Sequence, residues 1–481
     1  MSVRTPPKLQ KLAIQALLRD EALAISSLEE LPSVLFPALF KEAFTGRQTK
    51  LIKAIVAAWP FPCLPVGALM KRPDMEIFQA LLNGVDMLLK REFYPRRGKL
   101  QVLDMRNVHH AYWNVWDEAD DSDCSAETLD KKQVVKVLPR YALRQHLKVI
   151  VDLTLTSCSC ESKAFFLNWA QQRRRVLYFC CTKMKIWPLP FHNIRYILKV
   201  FDPEHIKELE LNIDWTLLEL TNFAPYFGQM KNLCKLFLAP LHNKTYPITN
   251  VTRVAEVRCL DKIISQFSKF NCLQHICLKH VHFLKNKMNQ VLGCLRTPLE
   301  TLSIVHCQIS QSDVDSFSCS QSLFQLKHLE IIEVTLDAFD LTHLRGLLER
   351  VVDSLGTLYL SSCKMKDSHI NVLLPALTQC SQLTDVNFYY NDFSMPTLKD
   401  LLEHTVNWSK INVEQYPAPL ECYDERNHVS RERFAQLCEE LMDTLREVRQ
   451  PKNISFATNT CPKCHDNYVY GHGAKLCDCW Q

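Results

Sequence analysis

Four cysteines near the end of the sequence have the spacing that most suggests chemistry: Cys461-Pro462-Lys463-Cys464, then Cys477-Asp478-Cys479. Two cysteine pairs supply four thiolates to a tetrahedral zinc, and the first pair has the knuckle spacing of structural sites. The second, Cys-x-Cys, is tighter, and His465 and His472 are spare nitrogen donors. One reading is a structural zinc on Cys461, Cys464, Cys477 and Cys479; the other is a tail of free or redox-paired thiols. Four protein ligands leave no open position on a metal, so neither reading supplies catalysis.

Nothing else in the chain has the spacing of an active site. There is no Walker A loop, dinucleotide fingerprint, Gly-x-Ser-x-Gly elbow or His-Glu-x-x-His helix. Only 10 glycines occur, which disfavours a phosphate-cradling enzyme, because such loops use glycine to bring backbone close to the ligand. The 17 histidines are scattered and read as satisfied or solvated groups. The expectation is a non-enzyme. A net charge of +5 over 481 residues is too small to imply nucleic acid. The short basic runs, Arg96-Arg97-Gly98-Lys99 and Arg173-Arg174-Arg175, read as solvated charge.

The chain begins with an amphipathic stretch rather than a signal-peptide core, and no apolar run approaches a membrane span. A cytoplasmic or nuclear location is expected. The 21 cysteines should then be mostly reduced, with Cys158/Cys160 and Cys180-Cys181 acting as small hydrophobes.

The elements that would position functional groups are repeats. An apolar-x-x-apolar-x-apolar pattern reads Leu273-x-x-Ile276-x-Leu278, Leu299-x-x-Leu302-x-Ile304, Leu326-x-x-Leu329-x-Ile331, Leu355-x-x-Leu358-x-Leu360 and Leu383-x-x-Val386-x-Phe388. A last copy is expected at Trp408-x-x-Ile411-x-Val413, and earlier ones at Ile206, Leu233 and, in isolation, Leu100. The ninth position, where Asn or Cys reaches backbone groups at the turn, holds Cys307, Cys363 and Asn391 in three copies and Val281 and Val334 in two. Helical stretches fill the intervals. A strand plus a helix in about 28 residues predicts an α/β leucine-rich-repeat horseshoe solenoid of ribonuclease-inhibitor type, strands inside and helices outside. Two Leu-x-x-Leu-Leu motifs, at Leu344 and Leu398, fall where the repeat needs core leucines.

Around this array the expected organisation is a helical segment over residues 1–98 and an atypical first repeat and connecting region over 99–205. The latter holds an acidic insertion at 117–133. Repeats follow over 206–427, then a capping helix over 428–449 and a cysteine-bearing tail over 450–481. Strand side chains alternate, so residues flanking the buried positions should line the inner face. Among these, Lys279, Glu330, Tyr359 and Tyr389 are the expected partner contacts, tyrosine being favoured at interfaces. The last row of this face is expected to be Lys410/Asn412/Glu414.

Several irregular segments resemble the PRAME family (preferentially expressed antigen in melanoma). They are Leu28-Glu29-Glu30-Leu31-Pro32 with Leu35-Phe36-Pro37-Ala38-Leu39-Phe40, then Ala58-Trp59-Pro60-Phe61, Lys99-Leu100-Gln101-Val102-Leu103-Asp104, Tyr416-Pro417-Ala418-Pro419-Leu420-Glu421 and Cys461-Pro462-Lys463-Cys464. The resemblance implies a substrate-recognition subunit of a cullin-2 RING ubiquitin ligase, joined through elongins B and C and promoting proteasomal degradation. It also implies germline expression and restraint of differentiation, apoptosis or transcription. Receptors of that kind carry an elongin-binding helix of Leu-x-x-x-Cys-x-x-x-aliphatic spacing, which Leu9, Ala13 and Leu17 match with alanine in place of cysteine. Leu31-Pro32 and Leu35-Phe36 resemble the cullin-selecting segment. A capping helix for the solenoid is the other reading of residues 9–17. A scaffold or transcriptional co-regulator without a ligase link is the other reading of the whole chain.

Overall fold

The computed structural model describes residues 9–70, 74–90, 98–114, 147–157, 161–213, 217–239, 253–426, 428–460, 467 and 469–470. The chain forms two compact units, residues 1–184 with 192–206 and residues 185–191 with 207–481. None of the described helices is long and apolar enough to cross a membrane.

The first unit opens with helices α1 (Leu9–Leu18), α2 (Glu21–Ser27), α3 (Phe36–Thr45) and α4 (Thr49–Ala57). Asp20 starts α2, its carboxylate accepting from the backbone N–H groups of Ala22 and Leu23, each at 3.0 Å, which satisfies two donors left free in the first turn. Strand β1 (Cys63–Pro65), helix α5 (Met75–Lys90), strand β2 (Val102–Asp104), helix α6 (His110–Asn114) and strand β3 (Lys148–Leu155) follow. Helix α7 (Glu161–Arg173) and strand β4 (Tyr178–Ile186), which lies next to β3, complete the series before helix α8 (Phe191–Ile197). β1, β2 and β3 are parallel and place Leu64, Leu103 and Val149 side by side, all fully buried. The ladder therefore begins upstream of the repeats legible in the sequence. Trp59 anchors the helices. It is buried, meets Phe36 and Phe40 edge-on at 6.3 and 5.7 Å, and donates its Nε1–H to the Cys63 carbonyl at 2.9 Å.

The second unit is the leucine-rich-repeat solenoid. Its strands are β5 (Glu208–Asn212), β6 (Lys235–Ala239), β7 (His275–Lys279), β8 (Thr301–Val305), β9 (His328–Ile332), β10 (Thr357–Tyr359), β11 (Asp385–Asn387), β12 (Val413–Pro417) and β13 (Asn453–Ala457). They lie parallel in chain order, and β14 (Val469–Tyr470) adds antiparallel to β13. Between them run α9 (Leu217–Phe227), α10 (Arg253–Ile264), α11 (Met288–Cys294), α12 (Gln311–Asp315), α13 (Thr342–Arg350), α14 (Asp367–Leu377), α15 (Met395–Glu403) and α16 (Arg431–Val448). Leu302, Ile304, Leu329, Ile331, Leu358 and Leu360 are buried in successive layers, as are the leucines of both Leu-x-x-Leu-Leu motifs.

The turns after β7, β8, β9, β10 and β11 share one backbone form. His280, His306, Glu333, Ser362 and Tyr390 all take a left-handed backbone, with φ between 51° and 58°. A residue with a Cβ gives up about 1–2 kcal/mol there; in three of these turns the following ninth residue, Cys307, Cys363 or Asn391, offsets this by bonding backbone groups, whereas Val281 and Val334 contribute only apolar packing. Asn391 is buried. Its Oδ1 accepts from the N–H groups of Cys363 (3.2 Å) and Met365 (3.0 Å), and its Nδ2 donates to the carbonyls of Leu360 (2.7 Å) and Phe388 (2.9 Å). Cys363 donates its thiol to the Ile331 carbonyl at 3.1 Å, and Cys307 accepts from the Val281 N–H at 3.3 Å.

The last repeat departs from the expected register. Val413 pairs with Asp385, and Glu414 with Val386, so the copy begins at Ile411 and reads Ile411-x-x-Glu414-x-Tyr416. The inward-facing row is Val413 and Gln415, not Lys410, Asn412 and Glu414. Glu414 occupies an apolar slot and is buried. Arg449, just after α16, forks onto it through Nη1 (2.8 Å) and Nη2, and the Tyr416 hydroxyl donates to it at 2.9 Å. Tyr416 in turn stacks between Phe388 and Phe456, 6.1 and 5.8 Å away. Because α16 connects β12 to β13, the strand ladder continues past the helix expected to cap it.

Candidate partner-binding face

Residues on the strand side not covered by the core form three rows across the second unit. Strand register aligns His275, Thr301, His328, Thr357 and Asp385 in one row, and Cys277, Ser303, Glu330, Tyr359 and Asn387 in the next. Beyond these, Lys279 is exposed beside Val305 and Ile332, while Tyr389 lies at the end of β11. Hydrogen bonds tie neighbouring strands. His275 Nδ1 meets Thr301 Oγ1 at 2.9 Å, His328 Nδ1 meets Thr357 Oγ1 at 3.0 Å, and Ser303 Oγ donates to Glu330 Oε2 at 2.6 Å. Burial and then the nearby Lys235 charge push the His275 pKa down, keeping the ring neutral.

Of the four expected contacts, Glu330 and Tyr359 face each other directly in register, each half-buried. Burial and then the Asp385 and Glu330 carboxylates push the Tyr359 phenol up, so it stays a neutral donor. Tyr389 is already engaged: its hydroxyl bonds Ser455 Oγ on β13. That partner could not be found from the repeat pattern, because the strand holding it lies in the segment read as a tail. The Cys277 thiol on the same face is pushed up mainly by burial, the reverse of what a nucleophile needs.

In the first unit, Leu9 is 82% exposed and Ala13 is exposed, while Leu17 is half-buried and Ile14 turns into the core. Leu12 and Leu23 add exposed apolar surface. The segment resembling a cullin selector is divided: Pro32 is exposed and Leu35 half-buried, whereas Leu31 is buried and Phe36 packs on Trp59.

Cys461, Cys464, Cys477 and Cys479, and the acidic stretch 117–133, lie outside the described residues. Among the described residues no group of three His, Cys, Asp or Glu side chains is placed to hold a metal. Cys180 and Cys181 are buried free thiols, and Cys180 is pushed up to about 11 chiefly by burial.

A repeated strand–turn–helix unit presenting an uncovered polar strand face defines a protein-binding leucine-rich-repeat protein. The PRAME N-terminal domain matches residues 6–113 and the PRAME C-terminal domain residues 147–479. The chain is 43% identical to preferentially expressed antigen in melanoma-like protein 7 of Mus musculus over 97% of each chain. It is 42% identical to PRAME family member 20 of Homo sapiens over the whole of both chains, and 43% identical to human PRAME family member 12 over 96% of this chain and 95% of that one. The chain belongs to the PRAME family. Among solved structures, an internalin from Listeria monocytogenes aligns with 60% of this chain and 78% of its own, at 16% identity and a TM-score of 0.33; the strand ladder, not that likeness, carries the fold.

Proposed function

We propose that this protein is the substrate-recognition subunit of a cullin-2 RING ubiquitin ligase, joined through elongins B and C and presenting its target on the inner strand face. It performs no chemistry itself; ubiquitin transfer belongs to the E2 and RING subunits, and this chain contributes proximity and orientation. The observation that carries the reading is helix α1. It buries Ile14 while Leu9 is 82% exposed, Ala13 exposed and Leu17 half-buried, which supports docking of the side that the resemblance assigns to elongin into a groove-bearing partner. Leu9→Asp with Leu17→Asp, followed by affinity purification and mass spectrometry, tests it. Elongins and a cullin should co-purify with the wild type in stoichiometric yield and be lost in the variant. Wild-type protein that captures neither removes the ligase reading.

The burial of Leu31 and Phe36 favours the second reading, a scaffold or transcriptional co-regulator that uses the same inner face without a cullin. It predicts normal partner capture in the Leu9/Leu17 variant.

A further inference from the structure

Four carboxylates belong to the inner strand face of the second unit: Glu208, Glu210, Glu330 and Asp385. The first two have internal cations, Lys235 at 3.4 Å from Glu208 and Lys185 against Glu210. The other two have no ion-pair partner among the described residues. Each is held instead by one neutral hydroxyl, Ser303 Oγ on Glu330 Oε2 and Thr384 Oγ1 on Asp385 Oδ2, both at 2.6 Å. Their remaining oxygens, Oε1 and Oδ1, accept nothing from the described residues. Tyr359 faces Glu330 in register on one side; on the other it faces Asn387, with Asp385 two residues earlier on that same strand. Both carboxylates act on its phenol. Titratable groups on the face beside this trio include Cys277, on the Glu330 row and near Lys279, and His328, whose Nδ1 is occupied by Thr357.

An unpaired carboxylate fixed in position by a neutral donor keeps its charge available to a ligand. Two of them bracketing one aromatic ring match a cation that can lie on the ring and donate to both sides. The net charge of the whole chain is positive, so this local negative cluster is a property of the face and not of the composition. We infer that Glu330, Tyr359 and Asp385, from two adjacent rows of this face, together receive an arginine or lysine side chain from an extended basic segment of the partner protein. The inference rests on the inner face being the partner surface. It is independent of the elongin helix, which lies in the other unit.

The test uses the full-length chain and fluorescence anisotropy with a short labelled peptide of alternating arginine and serine, in salt of about 150 mM to screen exposed long-range charge. The same peptide with citrulline for arginine is the neutral isostere. Glu330→Gln with Asp385→Asn should weaken binding about tenfold or more, since charge-assisted bonds are lost without change of shape. Glu208→Gln with Glu210→Gln, which removes the same formal charge from the paired flank, should change it less than about twofold. The citrulline peptide should not bind. Absence of wild-type binding, equal binding of the citrulline peptide, or an equal loss in the flank variant each overturn the inference. Elongin B and C capture, measured on the same variants, should be unaffected; its failure in the wild type removes the ligase reading and leaves the peptide result standing.

Discussion

Replacing Arg449 with methionine strands a carboxylate inside the solenoid. Glu414 fills a position that the adjacent strands give to Val386 and Ile454, and its side chain is 1% exposed. Arg449 supplies two of its hydrogen bonds and also donates Nε to Thr405 Oγ1 at 3.0 Å. Without the guanidinium, the Tyr416 hydroxyl is the one donor left from this cluster. Removing one member of a buried pair costs about 3–5 kcal/mol, because the surviving charge stays desolvated. Replacing both, as Glu414→Leu with Arg449→Met, removes the charge as well and should recover part of that loss, leaving about 1–3 kcal/mol for the buried Tyr416 hydroxyl, which loses its acceptor. A repeat array need not unfold in one step, so denaturant unfolding is paired with amide exchange read at β12 and β13. Arg449→Met should raise exchange there first. A loss below about 1 kcal/mol in the single variant, or a double variant as damaged as the single, would refute the reasoning.

Asn391→Leu removes the side chain that bonds four backbone groups and ties the turn after β10 to the turn after β11; a loss of about 3–5 kcal/mol is expected, and unchanged denaturant unfolding would sink this account of the turn. Asp104 is buried. Burial raises its pKa, but hydrogen bonds from His109 and Arg106 outweigh that and hold it at about 2, below the ordinary 3.8. Stability from a depressed carboxyl is complete above the unfolded value and is lost as pH falls from 3.8 toward 2, about 2 kcal/mol in all. Asp104→Asn should flatten that part of the stability-versus-pH curve, and an identical acid slope would count against it. We propose that the tail binds one zinc: elemental analysis of protein prepared without chelator should find it, and Cys461→Ser with Cys464→Ser should remove it. A metal-free wild type returns those cysteines to free thiols.

The repeats from Leu273 to Phe388 were legible because every third-and-second spacing is filled by an apolar side chain and the intervals are nearly equal. β1 to β3 obey the same packing, with Leu64, Leu103 and Val149 in one layer; the copy at Leu100 that holds β2 could be read, but β1 and β3 lie at spacings too uneven for a period to show. The last repeat was misread for a chemical reason. A template of apolar positions rejects Glu414, so Trp408 and Ile411 drew the register three residues early. Only the three-dimensional neighbour, Arg449, makes the carboxylate tolerable there. The candidate site divides in the same way. Alternation along a strand identified Tyr359 and Glu330 as inward residues, but whether a carboxylate is already neutralised depends on which strand lies beside it, and on that the sequence is silent.

This division says where function and folding can be separated. Trp59 and Tyr416, two of the residues that carry the family resemblance, are buried hubs of aromatic clusters. Altering them changes stability before it changes recognition, since truncating a buried aromatic costs about 3–5 kcal/mol. Glu330, Tyr359 and Asp385 are only partly buried, and each of the two carboxylates accepts one side-chain hydrogen bond. Substituting them costs the fold little, because solvent remains to satisfy what is lost. These two residues of the family resemblance thus hold their own units together, Trp59 in the first and Tyr416 in the second. On the reading proposed above, partner choice falls to strand positions that can be substituted without unfolding, and a change of specificity between relatives should be sought at Glu330, Tyr359 and Asp385 rather than in the motifs that identify them.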